Sequence, residues 1–328
     1  MRGARDHLLP PFAIGVAVVV GLAVWSVFVG VSDISIGALW RSGWTDEPTQ
    51  ILIESRLPRT FALILAGAAM AVSGSILQML VRNRFAEPST VGTAEAAKLG
   101  FLIVLLLFPD ASIPARLAAA ATFAFLTTAF FMRMLRHVPL QSTLIVPLVG
   151  ILLGGVINAT ASFLAYRYDL MQSLASWSNG DFSMILRGRY ELLWLSLGLT
   201  LLAYVYADRF TVAGLGENIA TNLGLKYRGV LTLGLAIVSL TTAVVIVTVG
   251  MIPFLGLVVP NLVSLVMGDN VRRTLPWVGL VGAALVLACD IAGRILNALY
   301  EIPVGTMFGV IASAIFLYLL LRKNARLA

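Results

Sequence analysis

TFALILAGAAMAVSGSILQMLV, residues 60–81, runs for twenty-two residues without a charged side chain. A helix needs about 20 such residues to cross the hydrocarbon of a bilayer. The stretch opens on Arg56-Leu57-Pro58-Arg59 and closes on Arg82. Proline suits a helix's first turn, where no hydrogen-bond partner is lost. The same pattern recurs along the chain, near 8–31, 91–108, 115–135, 140–166, 190–207, 229–250, 254–267, 276–298 and 303–321. That makes ten apolar stretches, of which 254–267 is short. Breaks such as RNRFAEP (82–88), PDASIP (109–114) and GDNVRRTLP (268–276) carry turn and charge signals.

Composition agrees with ten spans. Of 328 residues 59 % are apolar, about 194, and only 12 % are charged, about half the usual charged share. So little charge could not cover a soluble globule of this size, which excludes a water-soluble enzyme. One all-α transmembrane domain covering 1–328 is the expectation. Arg2 and Arg5 precede the run Leu8–Val31, which is too long for a signal h-region and has no A-x-A site after it, so it reads as a retained first span. The single cysteine, Cys289, allows neither an internal disulfide framework nor a multi-cysteine metal site.

Net charge is +7, from 23 basic and 16 acidic residues. Basic residues concentrate on the cytoplasmic side of a membrane protein. With the N-terminus inside, fourteen fall there: Arg2, Arg5, Arg82, Arg84, Arg133, Arg136, Arg209, Lys226, Arg228, Arg272, Arg273, Arg322, Lys323 and Arg326. Eight fall outside, namely Arg41, Arg56, Arg59, Arg116, Arg167, Arg187, Arg189 and Arg294, while Lys98 lies within a span. The bias predicts both termini in the cytoplasm.

Two connections exceed tight turns. Tyr168–Arg189, on the outer side, contains SWSNGDF. Asp208–Gly229, on the inner side, contains a short amphipathic helix near Glu217–Leu223, held between Gly216 and Gly224. It reads either as an element on which another protein can push or as a plain surface connector. Small residues at Gly150–Gly154, Gly305–Gly309 and Gly67/Ala71/Gly74 predict close helix contacts.

Catalytic signatures are missing. None of the three lysines follows a glycine, so there is no P-loop. His7 and His137 cannot make HExxH or a histidine metal cage, and no serine sits in G-x-S-x-G. Nucleotide-powered transport would need a second subunit to bind the nucleotide. Polar residues inside spans are Gln78, Glu95, Lys98, Asn158, Asp290 and Asn297. Such residues are costly and mark function, and Gln78 and Asn158 are the pathway candidates. Glu95/Lys98 and Asp290/Arg294 have spacings that allow mutual neutralisation on one helix face. Ion coupling would call for several unpaired mid-depth carboxylates, which weighs against a secondary transporter. Arg56, Arg59 and Arg294 run against the charge bias. They suit bidentate docking of carboxylates, or reach to lipid headgroups.

Four segments in order carry a resemblance: ESRLPRTFALILAGAAMAVSGSILQMLVRNRFAEP (54–88), GLGENIATNLGL (214–225), GMIPFLGLVVPNLVSLVMGDN (250–270) and DIAGRIL…EIPVGTMFGVIASAIFLYLLLR (290–322). From about residue 50 onward the chain resembles the permease subunits of bacterial ATP-driven importers for iron chelates, haem and cobalamin. The resemblance implies ten spans and the type II importer architecture in the cytoplasmic membrane. It implies that Arg56, Arg59 and Arg294 meet acidic residues of an extracytoplasmic binding protein. It implies that Gly214–Leu225, with Gly216, Glu217, Ala220, Leu223 and Gly224, is the coupling helix seated on an ATPase subunit. It places the second and fifth spans on the pathway. No cofactor is expected on this chain; ATP and Mg belong to two ATPase subunits. Arg84 stands where the family usually has Pro, Asn261 where it has His, and Ser264 where it has Arg. With PSTVGTAEAAKLG (88–100), these departures resemble the subgroup for ferric siderophores of catecholate or mixed type, such as petrobactin and anguibactin importers. In that subgroup two different permeases usually pair, so a heterodimer is expected. Haem or cobalamin is the alternative cargo.

Overall fold

The structure is a computed structural model that describes residues 9–29, 46–135, 145–268, 270–296 and 301–321. Arg2, Arg5, Arg41, Arg136, Arg322, Lys323, Arg326, His7, His137 and Asn297 lie outside those residues. The described residues are helical, with no strand among them. Ten helices match the ten apolar stretches. They are α1 (Leu9–Phe28), α3 (Leu57–Val81), α4 (Thr93–Leu107), α5 (Ile113–Leu135), α6 (Ile145–Arg167), α8 (Leu193–Val205), α11 (Tyr227–Val249), α12 (Leu255–Met267), α13 (Val271–Leu296) and α14 (Val304–Leu321). Among the described residues, four short helices fall between them: α2 (Glu47–Ile51), α7 (Met171–Ser178), α9 (Ala207–Ala213) and α10 (Glu217–Asn222). A π-helical turn, Leu52–Arg56, joins α2 to α3.

Among the described residues, five helical stretches are long and apolar enough to cross a membrane by length and composition alone. α12, with 13 residues, extends only about 20 Å at 1.5 Å per residue, against about 30 Å of hydrocarbon. The difference is made up by irregular backbone at 250–254, where Ile252 is buried. Non-helical backbone at membrane depth is tolerated where protein covers it. The connection 82–92 between α3 and α4 is also packed inside, with Ala86, Glu87 and Val91 almost fully buried.

α3 is the central helix. Its most apolar window is 83 % buried, whereas that of α6 is 22 % buried. α13, α11, α12 and α8 pack around α3. The glycines let the backbones touch. A Cβ at Gly67 would stand 2.8 Å from the Gly282 carbonyl oxygen, one at Gly74 would run into the Gly256 backbone, and one at Gly150 into Thr90. Gly305 lies likewise against Asn179, and Gly309 is in ordinary contact with Pro253. Without a hydrophobic drive between helices in lipid, such van der Waals contact is what holds spans together.

One boundary and two short helices depart from the sequence reading. α13 starts at Val271 rather than 276, because Asn270 caps it through its side-chain oxygen, which accepts from Arg273 N–H at 3.2 Å. Pro276 is thereby taken into the helix. α7 forms inside the connection 168–189 and α9 directly after α8. Each is too short to register as a span.

Candidate functional site

Two ends of the molecule carry the residues singled out above. At one end, Arg56 and Arg294 converge on the last turn of α1 and the residue after it. Arg56 Nη1 donates to the carbonyls of Val27 and Val29 at 3.0 and 2.9 Å. Arg294 Nη1 donates to Ser26 O and Val29 O at 3.0 and 2.6 Å, and its Nη2 to Ser26 Oγ at 2.6 Å. These carbonyls lack intrahelical partners, and cations at a helix C-terminus also oppose its dipole. Arg56 and Arg294 therefore fasten α1 to α3 and α13.

Arg59 is engaged differently. Its Nε and Nη2 donate to Asp290 Oδ1 at 3.1 and 2.6 Å, and its Nη1 to Glu301 Oε2 at 2.6 Å. Arg294 Nη2 lies 2.5 Å from Asp290 Oδ2. The expected Asp290/Arg294 pair thus exists, but Asp290 serves two arginines at once. The Asp290 side chain is fully buried, while that of Glu301 is 34 % exposed. The three arginines form one cluster with internal counter-charges rather than three free guanidinia at the surface. Sequence spacing shows only the i, i+4 member of this network; the other partners come from remote helices.

At the opposite end, α10 begins at Gly216, whose φ of 107° favours glycine, and the chain leaves at Gly224 with φ 81°. A Cβ at Gly216 would also meet Arg82 Nη1 at 3.0 Å. Ala220 faces inward and is fully buried, whereas Glu217 is exposed. Leu215, Ile219 and Leu223 are exposed at 49, 50 and 65 %. Ile219 and Leu223, four apart, share one face of α10, and Leu215 lies just before the helix. The helix is one residue shorter than expected, with Leu223 as its C-cap. On the neighbouring surface Arg272 pairs with Asp208.

Gln78 and Asn158 are not brought together. Gln78 Nε2 donates to Gly256 O at 3.1 Å, pinning α3 to α12. It also lines a cavity of about 480 Å³ with Arg82, Leu215, Asn261 and Ser264. Asn158 is exposed on α6. Glu95 and Lys98 are coupled by charge, as expected, but make no close contact. Lys98 Nζ donates to Ser178 Oγ at 3.2 Å, and Glu95 Oε2 is buried without a hydrogen-bond partner. Lys98 spends a donor on α7 rather than on the carboxylate. Two departures from the family pattern do meet: Asn261 Nδ2 donates to the carbonyl of Arg84 at 2.9 Å, and to Leu257 O at 2.7 Å.

Glu87 is not singled out by the sequence, where 82–88 carries only turn and charge signals. It is 1 % exposed, and its Oε1 accepts the Phe254 N–H at 3.0 Å and the Ser89 hydroxyl. Phe254 is the residue before α12 and has a φ of 63°, so a carboxyl from the α3–α4 connection caps the start of α12. Burial pushes the Glu87 carboxyl up to about 7 from 4.5, with Ser89 and Phe254 pulling the other way. The folded chain then holds this proton more tightly than the unfolded chain. The resulting stability is complete below about 4.5 and is lost as pH rises through about 7. Thermal midpoints of the detergent-solubilised chain should fall across that window, and Glu87→Gln should flatten the fall; an unchanged pH profile in the variant would remove Glu87 as its source.

The matching family profile spans residues 17–322 and is the FecCD transport family. This chain belongs to that family. It is 49 % identical over 304 residues to the petrobactin import system permease protein YclN of Bacillus subtilis, covering 93 % of this chain and 96 % of YclN. It is 42 % identical to the ferric-anguibactin transport system permease protein FatD of Vibrio anguillarum, covering 92 % of this chain and 95 % of FatD. Among solved structures, a metal-chelate type ABC transporter in an inward-facing conformation superposes with a TM-score of 0.78. That match has 25 % identity and covers 94 % of this chain and 97 % of the other. As a member of a transport family with many apolar helices, this chain is a multi-pass membrane permease, and the ten-helix architecture is that of the family.

Proposed function

We propose that this chain is the permease subunit of an ATP-driven importer that carries a ferric siderophore, of catecholate or mixed catecholate type, across the bacterial cytoplasmic membrane. The observation that carries the cargo is the near full-length likeness to permeases for petrobactin and anguibactin. In this reading the α10 end faces the cytoplasm, together with both termini. The exposed Ile219 and Leu223, with Glu217 and Leu215 nearby, seat on an ATPase subunit. Gly216 and Gly224 set the helix ends, and Ala220 packs it onto the bundle. ATP and Mg act on that partner and not on this chain.

The Arg59 end faces outward and receives the substrate-binding protein. Arg59 is the docking contact, while Arg56 and Arg294 support it by holding α1. The sparsely buried α6, carrying Asn158, supplies the face for a second, different permease, and Gln78 lines the cytoplasmic side of the passage. Closure of the ATPase pair on ATP would shift α10 and, through Arg82 against Gly216, the end of α3.

The test is reconstitution of the permease pair, ATPase and binding protein in liposomes loaded with ATP. Radioiron uptake from ferric petrobactin or ferric anguibactin should exceed background at least tenfold and vanish with a non-hydrolysable nucleotide. Uptake of labelled cobalamin or haem without radioiron would overturn the cargo. Uptake that ignores ATP but collapses with an uncoupler would overturn the class.

A further inference from the structure

We propose that Glu301 is a displaceable placeholder on Arg59, occupying the position that an acidic residue of the extracytoplasmic partner takes when it docks. The inference rests on the docking reading above and adds the residue that regulates it. A guanidinium offers separate donor edges in fixed geometry. Asp290 holds the Nε/Nη2 edge of Arg59 from within the protein, and Glu301 holds Nη1 from the side that solvent reaches.

The two carboxylates differ in what it costs to remove them. Asp290 is fully buried and also paired with Arg294, and stripping the partner from a buried charge is strongly unfavourable. Glu301 is partly exposed and precedes α14 in a non-helical stretch, 301–303. The Arg59–Glu301 contact is half-buried at the solvent rim, so exchanging one carboxylate for another at Nη1 keeps the counter-charge in place and is close to neutral. Arg56 and Arg294 offer no such edge. They are 8 % and 5 % exposed and spend Nη donors on α1 carbonyls. Arg59 is therefore the one member of the cluster whose partner can be exchanged without dismantling the fold, and Glu301 is the group exchanged. Its negative charge also repels an approaching carboxylate until the partner is in register, which discriminates against casual acidic contacts.

The experiment measures binding of the cognate substrate-binding protein to the complete transporter in nanodiscs. Variants are Glu301→Gln, Arg59→Gln and Arg59→Lys; Arg59→Lys keeps a charge for Asp290 but loses the fork, in case Arg59→Gln does not fold. Glu301→Gln should tighten docking by about two- to fivefold, the worth of one rim pair. Either Arg59 variant should weaken it by about tenfold. Arginine-specific dicarbonyl labelling should also modify Arg59 faster in Glu301→Gln. If a folded Arg59 variant docks like the parent, the docking reading falls, and the placeholder with it. If Arg59 variants weaken docking while Glu301→Gln changes neither docking nor labelling, the docking reading stands and the placeholder is overturned.

Discussion

Leu223→Asp is expected to cut ATP-dependent uptake by at least tenfold while leaving the permease as stable as before. Leu223 is 65 % exposed, beside Ile219 on the face of α10 turned away from the bundle. A side chain so exposed contributes little to folding, and changes of this kind usually lie within about 0.5 kcal/mol. Covered by a partner, one leucine is worth about 1.5–3 kcal/mol, which corresponds to roughly ten- to hundredfold in affinity. A carboxylate at the same position would also be buried without a counter-charge. The expected signature is a split: unchanged thermal midpoint and monodispersity, but ATPase lost from the purified assembly. Ala220→Asp should do the reverse, because Ala220 is fully buried and its replacement should lower permease stability first. If Leu223→Asp left ATPase association and uptake intact, α10 would be a surface connector.

The ten spans were readable because lipid forces the chain to advertise them: every spanning helix needs a long apolar stretch that satisfies its own backbone. The glycine faces were readable for the same reason, since helices in lipid approach through small residues. What escaped is short or tertiary. α7 and α9 have eight and seven residues, below any spanning length. Pro276 looked like a boundary, yet Asn270 caps the helix one turn and a half earlier. Glu87 sits beside Pro88 in what reads as a polar loop; only its meeting with Phe254, 167 positions away, makes it a buried cap. The arginine cluster is the sharpest case. Its residue types were right for carboxylate docking, but the acceptors that engage Arg294 lie 265 and 268 positions away on α1 and just beyond it. No periodicity encodes such a contact. The consequence for the site is specific: of three arginines that look equivalent in sequence, two hold the end of α1 and the third, Arg59, holds Asp290 and Glu301.

That division sets the second large effect. Asp290→Asn is expected to destabilise the permease by about 3–5 kcal/mol, the cost of leaving a buried charge without its counter-ion. Arg56, Arg59 and Arg294 face Asp290 and Glu301, so the cluster holds one excess positive charge. Removing the Asp290 charge doubles that excess in a place water does not reach. Asparagine keeps the shape, so the effect reports charge rather than a cavity. Adding Arg294→Gln returns the cluster to its original excess and should recover part of the loss, with a coupling of about 0.5–3 kcal/mol in the double-mutant cycle. Recovery is incomplete because Arg294 also holds Ser26 and Val29. Glu301→Gln removes an equal charge but from a half-buried partner at the rim of the cluster, and should cost less, about 1 kcal/mol. Thermal or denaturant unfolding in detergent separates these cases. Equal midpoints for Asp290→Asn and Glu301→Gln would mean that burial does not distinguish the two carboxylates, and that the cluster is a solvated surface patch.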